Sequence, residues 1–205
     1  MQSKNVLIIA AEDSSAIYAC RFISEWKKLN LNQNTHFWGI GSQDMVNLGF
    51  EALYSPKEMA VVGLTEVISH YSRIKSILFE IKNRAIKDRP DFILLLDYPE
   101  FNLRLAEECH KAGLKVIYWI PPQVWAWRKS RIKKIKKYVD TVISVFPFEH
   151  EFYLKNGVRS HFFGHPLKDF MKEEYFDSNL RKMRRAKAGI SEETFVVGLM
   201  PGSRR

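Results

Sequence analysis

Cysteine is almost missing from this 205-residue chain: Cys20 and Cys109 stand far apart, with no CxxC and no His/Cys cluster at metal-ligand spacing. That usage fits a reducing compartment and gives no zinc signal. Long apolar runs are missing too, and none approaches the ~20 residues that span a bilayer. The short polar start, Met1 to Lys4, lacks the apolar core and cleavage site of a signal peptide. These absences predict a cytoplasmic protein whose membrane contact, if any, is peripheral. No Asp-x-Asp pair is present to hold a divalent ion, so no metal is expected, and no cofactor is predicted. No internal repeat or low-complexity segment is visible.

Charge is present in surplus, but locally. Residues 128–137 hold seven of the 32 Lys and Arg and no acid, contributing +7 of the formal +9. A surplus confined to one segment points to a site rather than to general solubility. Nucleic acid is the weaker partner class, because phosphate binding would need support from a remainder that is nearly neutral. Just upstream stand Pro121, Pro122, Trp125 and Trp127. If the chain is extended after Pro122, both indoles face one way and form an aromatic patch beside a cationic helix. The alternative is a buried Trp pair capping a solvated helix whose Ile132, Ile135 and Val139 face the core.

Short apolar runs alternate with helical patterns. Strands are predicted at Val6–Ala10, His36–Ile40, Phe92–Asp97, Lys115–Ile120, Thr141–Val145, Ser160–Phe163 and Phe195–Met200. Helices are predicted at Ala16–Leu29, Glu66–Lys87, Leu103–Ala112, Arg128–Tyr138 and Phe148–Asn156, with Gly113, Gly157 and Gly189 at left-handed cap positions. The alternation implies an α/β class with a doubly wound, Rossmann-like parallel sheet, whose functional loops follow the carboxyl ends of strands. Composition shifts after Lys168, which divides the chain into residues 1–170 and 171–205. The apolar run Phe195–Met200 needs neighbours on both sides. It must join the edge of the first sheet or belong to a truncated second domain.

The strand-end loops collect the unusual residues. Asp97 follows a buried strand, where a carboxylate can act as a base or orient a sugar hydroxyl; the alternative is a helix cap. Asn102 reads as the cap of a helix starting at Leu103. Glu12 and Ser14 occupy the first loop beside a helix N-terminus. His165 lies between Gly164 and Pro166, and Gly202, Ser203 and Arg204 end the chain as a potential phosphate turn. Val61, Leu64, Val67, Ile68, Tyr71 and Ile74 make an apolar stripe that either packs in the core or lies in a bilayer interface beside Arg73, Lys75 and Lys82.

Asp97-Tyr98-Pro99-Glu100-Phe101-Asn102 resembles the Asp-x-Pro-Asp-Phe-Asn motif of lipid-A-disaccharide synthases. Val124-Trp125-Ala126-Trp127-Arg128 is similar to their Val-Trp-Ala-Trp-Arg signature. Phe146-Pro147-Phe148-Glu149, Gly164-His165-Pro166 and Leu199-Met200-Pro201-Gly202-Ser203-Arg204 follow in the family's order, so the resemblance spans essentially the whole chain. It implies the N-terminal, acceptor- and membrane-binding domain of a GT-B glycosyltransferase, with residues 171–205 the linker and first strand of a donor-nucleotide domain. The implied reaction transfers 2,3-diacylglucosamine from UDP to 2,3-diacylglucosamine 1-phosphate, at the anionic inner face of a bacterial inner membrane, by an enzyme that is a homodimer at full length. By resemblance Asp97 is the base, Arg204 touches donor phosphate, and Trp125, Trp127 and Arg128 shape the acceptor cleft. Glu12, Ser14, Asn102, His165, Gly202 and Ser203 then line the substrate. The family's first loop, Gly-Glu-x-Ser-Gly-Asp, is here Ala11-Glu12-Asp13-Ser14-Ser15-Ala16. A Cβ at positions 11 and 15 is expected to restrict the backbone and narrow the ligand space. The 205-residue polypeptide alone is expected to bind without turning over.

Overall fold

The computed structural model describes residues 4–29, 34–60 and 67–200. The chain divides into two compact units, Met1–Gly164 and His165–Arg205.

In the first unit seven strands form one parallel sheet: β1 (Asn5–Ala10), β2 (His36–Ile40), β3 (Phe50–Tyr54), β4 (Phe92–Leu96), β5 (Val116–Trp119), β6 (Thr141–Ser144) and β7 (Ser160–Phe162). Their order is β3-β2-β1-β4-β5-β6-β7. Helices α1 (Asp13–Lys28), α2 (Gln43–Asn47), α3 (Pro56–Met59), α4 (Val67–Asp88), α5 (Pro99–Lys111), α6 (Arg131–Tyr138) and α7 (Pro147–Lys155) connect them.

The two central strands show why the sheet must be covered on both faces. Leu7 and Ile9 of β1, with Ile93 and Leu95 of β4, enter one core with Ile77 and Ile81 of α4 and Leu105 of α5. Val6, Ile8 and Ala10, with Leu94 and Leu96, enter the other with Ala16, Ala19 and Ile23 of α1. Alternate residues point to opposite faces, so only an uninterrupted apolar run satisfies both cores. Each of these Val, Leu and Ile side chains, fully buried, stabilises the fold by roughly 1.5–3 kcal/mol. Gly39 lets β2 lie against β1: at its φ of 134° a Cβ would come within 2.3 Å of the Ile8 carbonyl oxygen. The predicted cap glycines 113, 157 and 189 have φ of 73°, 71° and 69°.

Strand β3 is not apparent in the pattern of apolar runs. It sits at the sheet edge with Glu51 and Ala52 exposed, so its five residues form no continuous apolar run like those of the central strands. Helix α5 starts at Pro99 rather than Leu103, because a proline supplies a helical φ at a position whose N–H needs no partner. Helix α1 starts at Asp13, which places Ser14 in its first turn instead of a loop.

The second unit has 3₁₀ turns at Pro166–Phe170 and Glu173–Phe176, then α8 (Ser178–Lys187). The Asp177 side chain caps α8 by accepting from Asn179 N–H at 2.8 Å. Arg185 ties down the following segment by donating to the carbonyls of Ser191 (2.6 Å) and Thr194 (2.5 Å). The expected strand at Phe195–Met200 is not formed. Its side chains are exposed, with Phe195 at 90% and Met200 at 91%. An apolar run without a hydrogen-bonded neighbour has no ladder to join.

Candidate functional site

The strand order reverses between β1 and β4, and in such sheets the crevice outside the carboxyl ends at that point takes ligands. Register shows what meets there. Ala10 pairs with Leu96, Leu96 with Trp119, and Trp119 with Ile143. The exits at Ala11–Glu12, Asp97–Tyr98 and Ile120–Pro121 are therefore neighbours.

The β4 exit is strained. Asp97 and Tyr98 have φ of 48° and 42°, both in the left-handed region that non-glycine residues avoid. Each such residue costs on the order of 1–3 kcal/mol, which the surroundings must offset. Asn102, fully buried on α5, donates its Nδ2 to the carbonyls of Leu96 (3.1 Å) and Asp97 (2.7 Å). Buried Tyr118 on β5 donates its hydroxyl to the same Asp97 carbonyl at 2.6 Å. Tyr98 reaches across to the Met59 carbonyl at 2.9 Å. The result is a partly buried Asp97 held at the crevice by its own backbone. Asn102 is thus a brace inside α5 rather than its cap, and the N-cap position belongs to Tyr98.

Electrostatics tie the loops together. Burial, then the charge of Asp97, pushes the Tyr118 hydroxyl well above the ordinary tyrosine range. Burial, then the charge of Glu12, raises Tyr98. Glu12 and Asp97 thus flank one pair of tyrosines across the switch point. The Ser15 hydroxyl accepts from Glu12 N–H at 3.1 Å and donates to the Glu12 carbonyl at 2.7 Å, closing the entry to α1. Neither Ala11 nor Ser15 has a positive φ, and both are buried with Ala16. The loss of two glycines therefore imposes no backbone strain here, and the added side chains point into the protein.

The aromatic segment departs from expectation. Residues 123–127 form turns, with the N–H groups of Ala126 and Trp127 both bonded to the Gln123 carbonyl. The chain is not extended after Pro122, and the two indoles part company. Trp125 donates Nε1–H to the buried Glu149 at 2.9 Å and meets Phe148 edge-on, with centroids 5.0 Å apart. Trp127 is 54% exposed and lies beneath the guanidiniums of Arg128 (5.1 Å) and Arg131 (5.4 Å). Both arginines donate to Glu100 on α5. Arg128 has φ 52°, and the helix begins only at Arg131. Of its apolar residues, Ile135 is fully buried and Val139 nearly so.

Other expected residues are dispersed. His165 opens the second unit, its Nδ1 accepting from Leu167 N–H at 3.1 Å. Ile74 packs against the core, which corrects its assignment to a lipid-facing stripe, since α4 turns that side toward the sheet. Tyr71 is exposed and accepts from Arg104 at 3.4 Å. Val61, Leu64, Gly202, Ser203 and Arg204 lie outside the described residues, as do the side chains of Val67 and Ile68. Among the described residues no helix is long and apolar enough to cross a membrane. Tyr118, Glu100, Arg131 and Glu149 escape sequence reasoning. Tyr118 looks like ordinary strand core, while Glu100, Glu149 and Arg131 stand in recognisable sequence segments that give no sign of which residues they meet.

The family model described as lipid-A-disaccharide synthetase matches residues 6–205. The lipid-A-disaccharide synthase of Geobacter metallireducens is 42% identical over 203 residues, covering 99% of this chain and 51% of the relative. That of Nitrosococcus oceani is 39% identical, covering 97% and 50%. The chain spans about half the length of the relatives it matches. Among solved structures, the UDP-GlcNAc 2-epimerase from Neisseria meningitidis bound to UDP-GlcNAc superposes with TM-score 0.55. It is 12% identical, and the match covers 94% of this chain and 55% of that one. A second UDP-N-acetylglucosamine 2-epimerase gives TM-score 0.57 at 10% identity, covering 77% and 46%. These likenesses show a shared Rossmann-like fold of the kind found in GT-B proteins.

Proposed function

The chain belongs to the lipid-A-disaccharide synthetase family, and on that premise we propose that it forms the acceptor-binding part of the family's glycosyltransferase. The reaction joins a 2,3-diacylglucosamine unit from its UDP derivative to 2,3-diacylglucosamine 1-phosphate, releasing UDP. The observation that carries the reading is the braced Asp97 at the switch point: a carboxylate held on strained backbone by two buried donors. In this reading the carboxylate takes the proton of the acceptor hydroxyl as its oxygen attacks the donor's anomeric carbon. The bond to UDP breaks as the new glycosidic bond forms, and the proton then passes to solvent. A base in hydrogen-bond reach contributes typically ~10²–10⁴-fold. Charge builds on the departing diphosphate and must be met by donors placed in advance. Arg204, Ser203 and Gly202 are proposed for that task by their position in the family's sequence pattern. Residues 171–205 are proposed as the linker and start of the donor domain.

Because the chain covers about half of its relatives, the 205-residue polypeptide is proposed to bind acceptor without turnover by itself. The pure chain, given donor and acceptor, should release no UDP above background; measurable release would overturn this. In a chimera completed with the C-terminal half of the Geobacter metallireducens relative, Asp97→Ala should lower turnover by ~10²-fold or more while the melting temperature holds. Near-wild-type turnover would remove Asp97 from the chemistry.

Peripheral attachment to the inner face of an inner membrane is proposed as well. It is supported by exposed Tyr71 and Phe79 on α4, with Lys82 over the Phe79 ring at 4.7 Å, and by the cationic 129–137 surface. Co-sedimentation with anionic but not zwitterionic vesicles is the expected result, and equal partitioning to both would count against it.

A further inference from the structure

Two arginines converge on one carboxylate, and a third lies one helical turn from it. Arg128 Nη1 and Arg131 Nη2 donate to the same oxygen, Oε1 of Glu100. Arg104 follows Glu100 by one turn of α5. Its guanidinium is held above its ordinary value by the Tyr71 hydrogen bond first, and by the charges of Tyr71 and Glu100. The Arg131 side chain is only 10% exposed, so the fold fixes its guanidinium, whereas Glu100 is 64% exposed and able to leave. Three cations against one carboxylate leave an excess of two positive charges. Convergent guanidiniums with spare donors match a tetrahedral dianion, which offers more acceptor oxygens than a carboxylate does.

We propose that Arg104, Arg128 and Arg131 form a site for a phosphomonoester dianion, with Glu100 as an internal counter-ion that the ligand displaces. The proposal rests on the glycosyltransferase reading and assigns the site to the phosphate of the sugar 1-phosphate acceptor. The site adjoins the Asp97 corner. Tyr118, whose hydroxyl braces Asp97, responds to the charges of both Asp97 and Arg131. A sugar anchored by its phosphate at the arginines would therefore be tethered beside the carboxylate. Trp127, under two of the guanidiniums, fixes their planes and leaves an apolar face exposed next to the anion. Glu100 also works as a filter. A monoanion gains too little to replace a carboxylate already in place, while a dianion gains twice the charge.

The test is a titration of the 205-residue chain with glucosamine 1-phosphate at low salt, read by calorimetry. Methyl sulfate serves as the monoanionic control, and vesicles with and without phosphatidic acid serve as the lipid arm. Saturable binding is expected for glucosamine 1-phosphate and none for methyl sulfate. Glu100→Gln, which removes the competitor, should tighten binding about tenfold, and Arg128→Gln should weaken it about tenfold. Arg131→Gln should do the same. If that variant fails to melt cooperatively, exposed Arg104→Gln takes its place. Unchanged or weaker binding in Glu100→Gln, or wild-type affinity in the arginine variants, overturns the site. A gain for phosphatidic-acid vesicles without one for the sugar phosphate assigns the arginines to a lipid headgroup and overturns the acceptor assignment. Since the readout is binding by this chain, it can fail while Asp97 remains essential in the chimera, and the reverse.

Discussion

Strands β4 and β5 lie side by side, and both exits turn through left-handed backbone, at Asp97–Tyr98 and at Ile120. The first corner is tied by neutral donors that water does not reach, Asn102 and Tyr118. The second begins in the same way: Ile120 N–H bonds to the Ile143 carbonyl at 3.1 Å, and buried Tyr153 donates to Pro122 at 3.0 Å. Beyond Trp125 it continues as an exposed arm held by charge, through Arg128 on Glu100, which nearly buried Arg131 also meets. A hydrogen bond inside low dielectric keeps its geometry and is costly to leave unmade. A surface ion pair is weak, screened and easily exchanged. One corner is suited to holding a reacting group still, and the other to trading partners with an arriving ligand.

The sharpest way to break the first corner is Asn102→Leu. It keeps bulk but removes both donations, leaving Leu96 and Asp97 carbonyls short of partners behind two strained residues. A loss of about 2–3 kcal/mol is expected in urea denaturation. Tyr118→Phe removes only the second bond to Asp97 and should cost about 1–2 kcal/mol. Because both side chains serve one carbonyl, the double variant should depart from additivity by more than ~0.5 kcal/mol. Strict additivity would mean that the two act on separate structures.

Much of the fold was legible, and the reason is local. Strands covered on both faces write themselves as apolar runs, so Leu7–Ile9 and Ile93–Leu96 could hardly be anything else. Phe195–Met200 shows the limit of that logic. Its composition is that of a buried strand, yet with no paired neighbour it is exposed and irregular. Periodicity reports what a segment could bury, while pairing depends on what lies beside it. Asp97 was legible because a carboxylate at a strand's carboxyl end is unusual. Its braces were not, because Asn102 resembles a cap and Tyr118 resembles core, and only the fold brings both to one carbonyl. The two tryptophans misled for a related reason. A one-sided aromatic patch requires an extended chain after Pro122, and the turns at Gln123–Trp127 remove that condition.

Alkali should strain both corners, since burial raises the Tyr118 hydroxyl at the first and the Tyr153 hydroxyl at the second. Tyr118 is held protonated well above the usual tyrosine range by burial and then by Asp97. On α5, burial pushes the Cys109 thiol up to about 12. A group whose folded pKa lies above its unfolded value adds stability that is whole below the unfolded value and is lost as pH rises through the folded one. The unfolded values are about 8.5 for cysteine and about 10 for tyrosine. Stability should therefore decline from about pH 9 upward, by up to about 1.4 kcal/mol per pH unit for each group held protonated. Tyr118→Phe, less stable at neutral pH, should show a shallower decline. Parallel curves for the two proteins would mean that Tyr118 ionises without resistance.

The smallest expected effect belongs to the exposed arm. Arg128→Met removes one guanidinium from Glu100 while keeping an apolar stem against Trp127. Both partners are more than half exposed, so the pair contributes only about 0–1 kcal/mol in dilute buffer. Raising salt to about 1 M shortens the screening length to ~3 Å and should erase that difference. The relief of φ strain does not confuse the reading, because methionine at the same 52° is no easier than arginine. The Asn102→Leu deficit, by contrast, should persist in high salt, since it involves no exposed charge. Equal salt sensitivity in the two variants would show that both corners are held electrostatically, and the division between a rigid corner and an exchangeable one would fail.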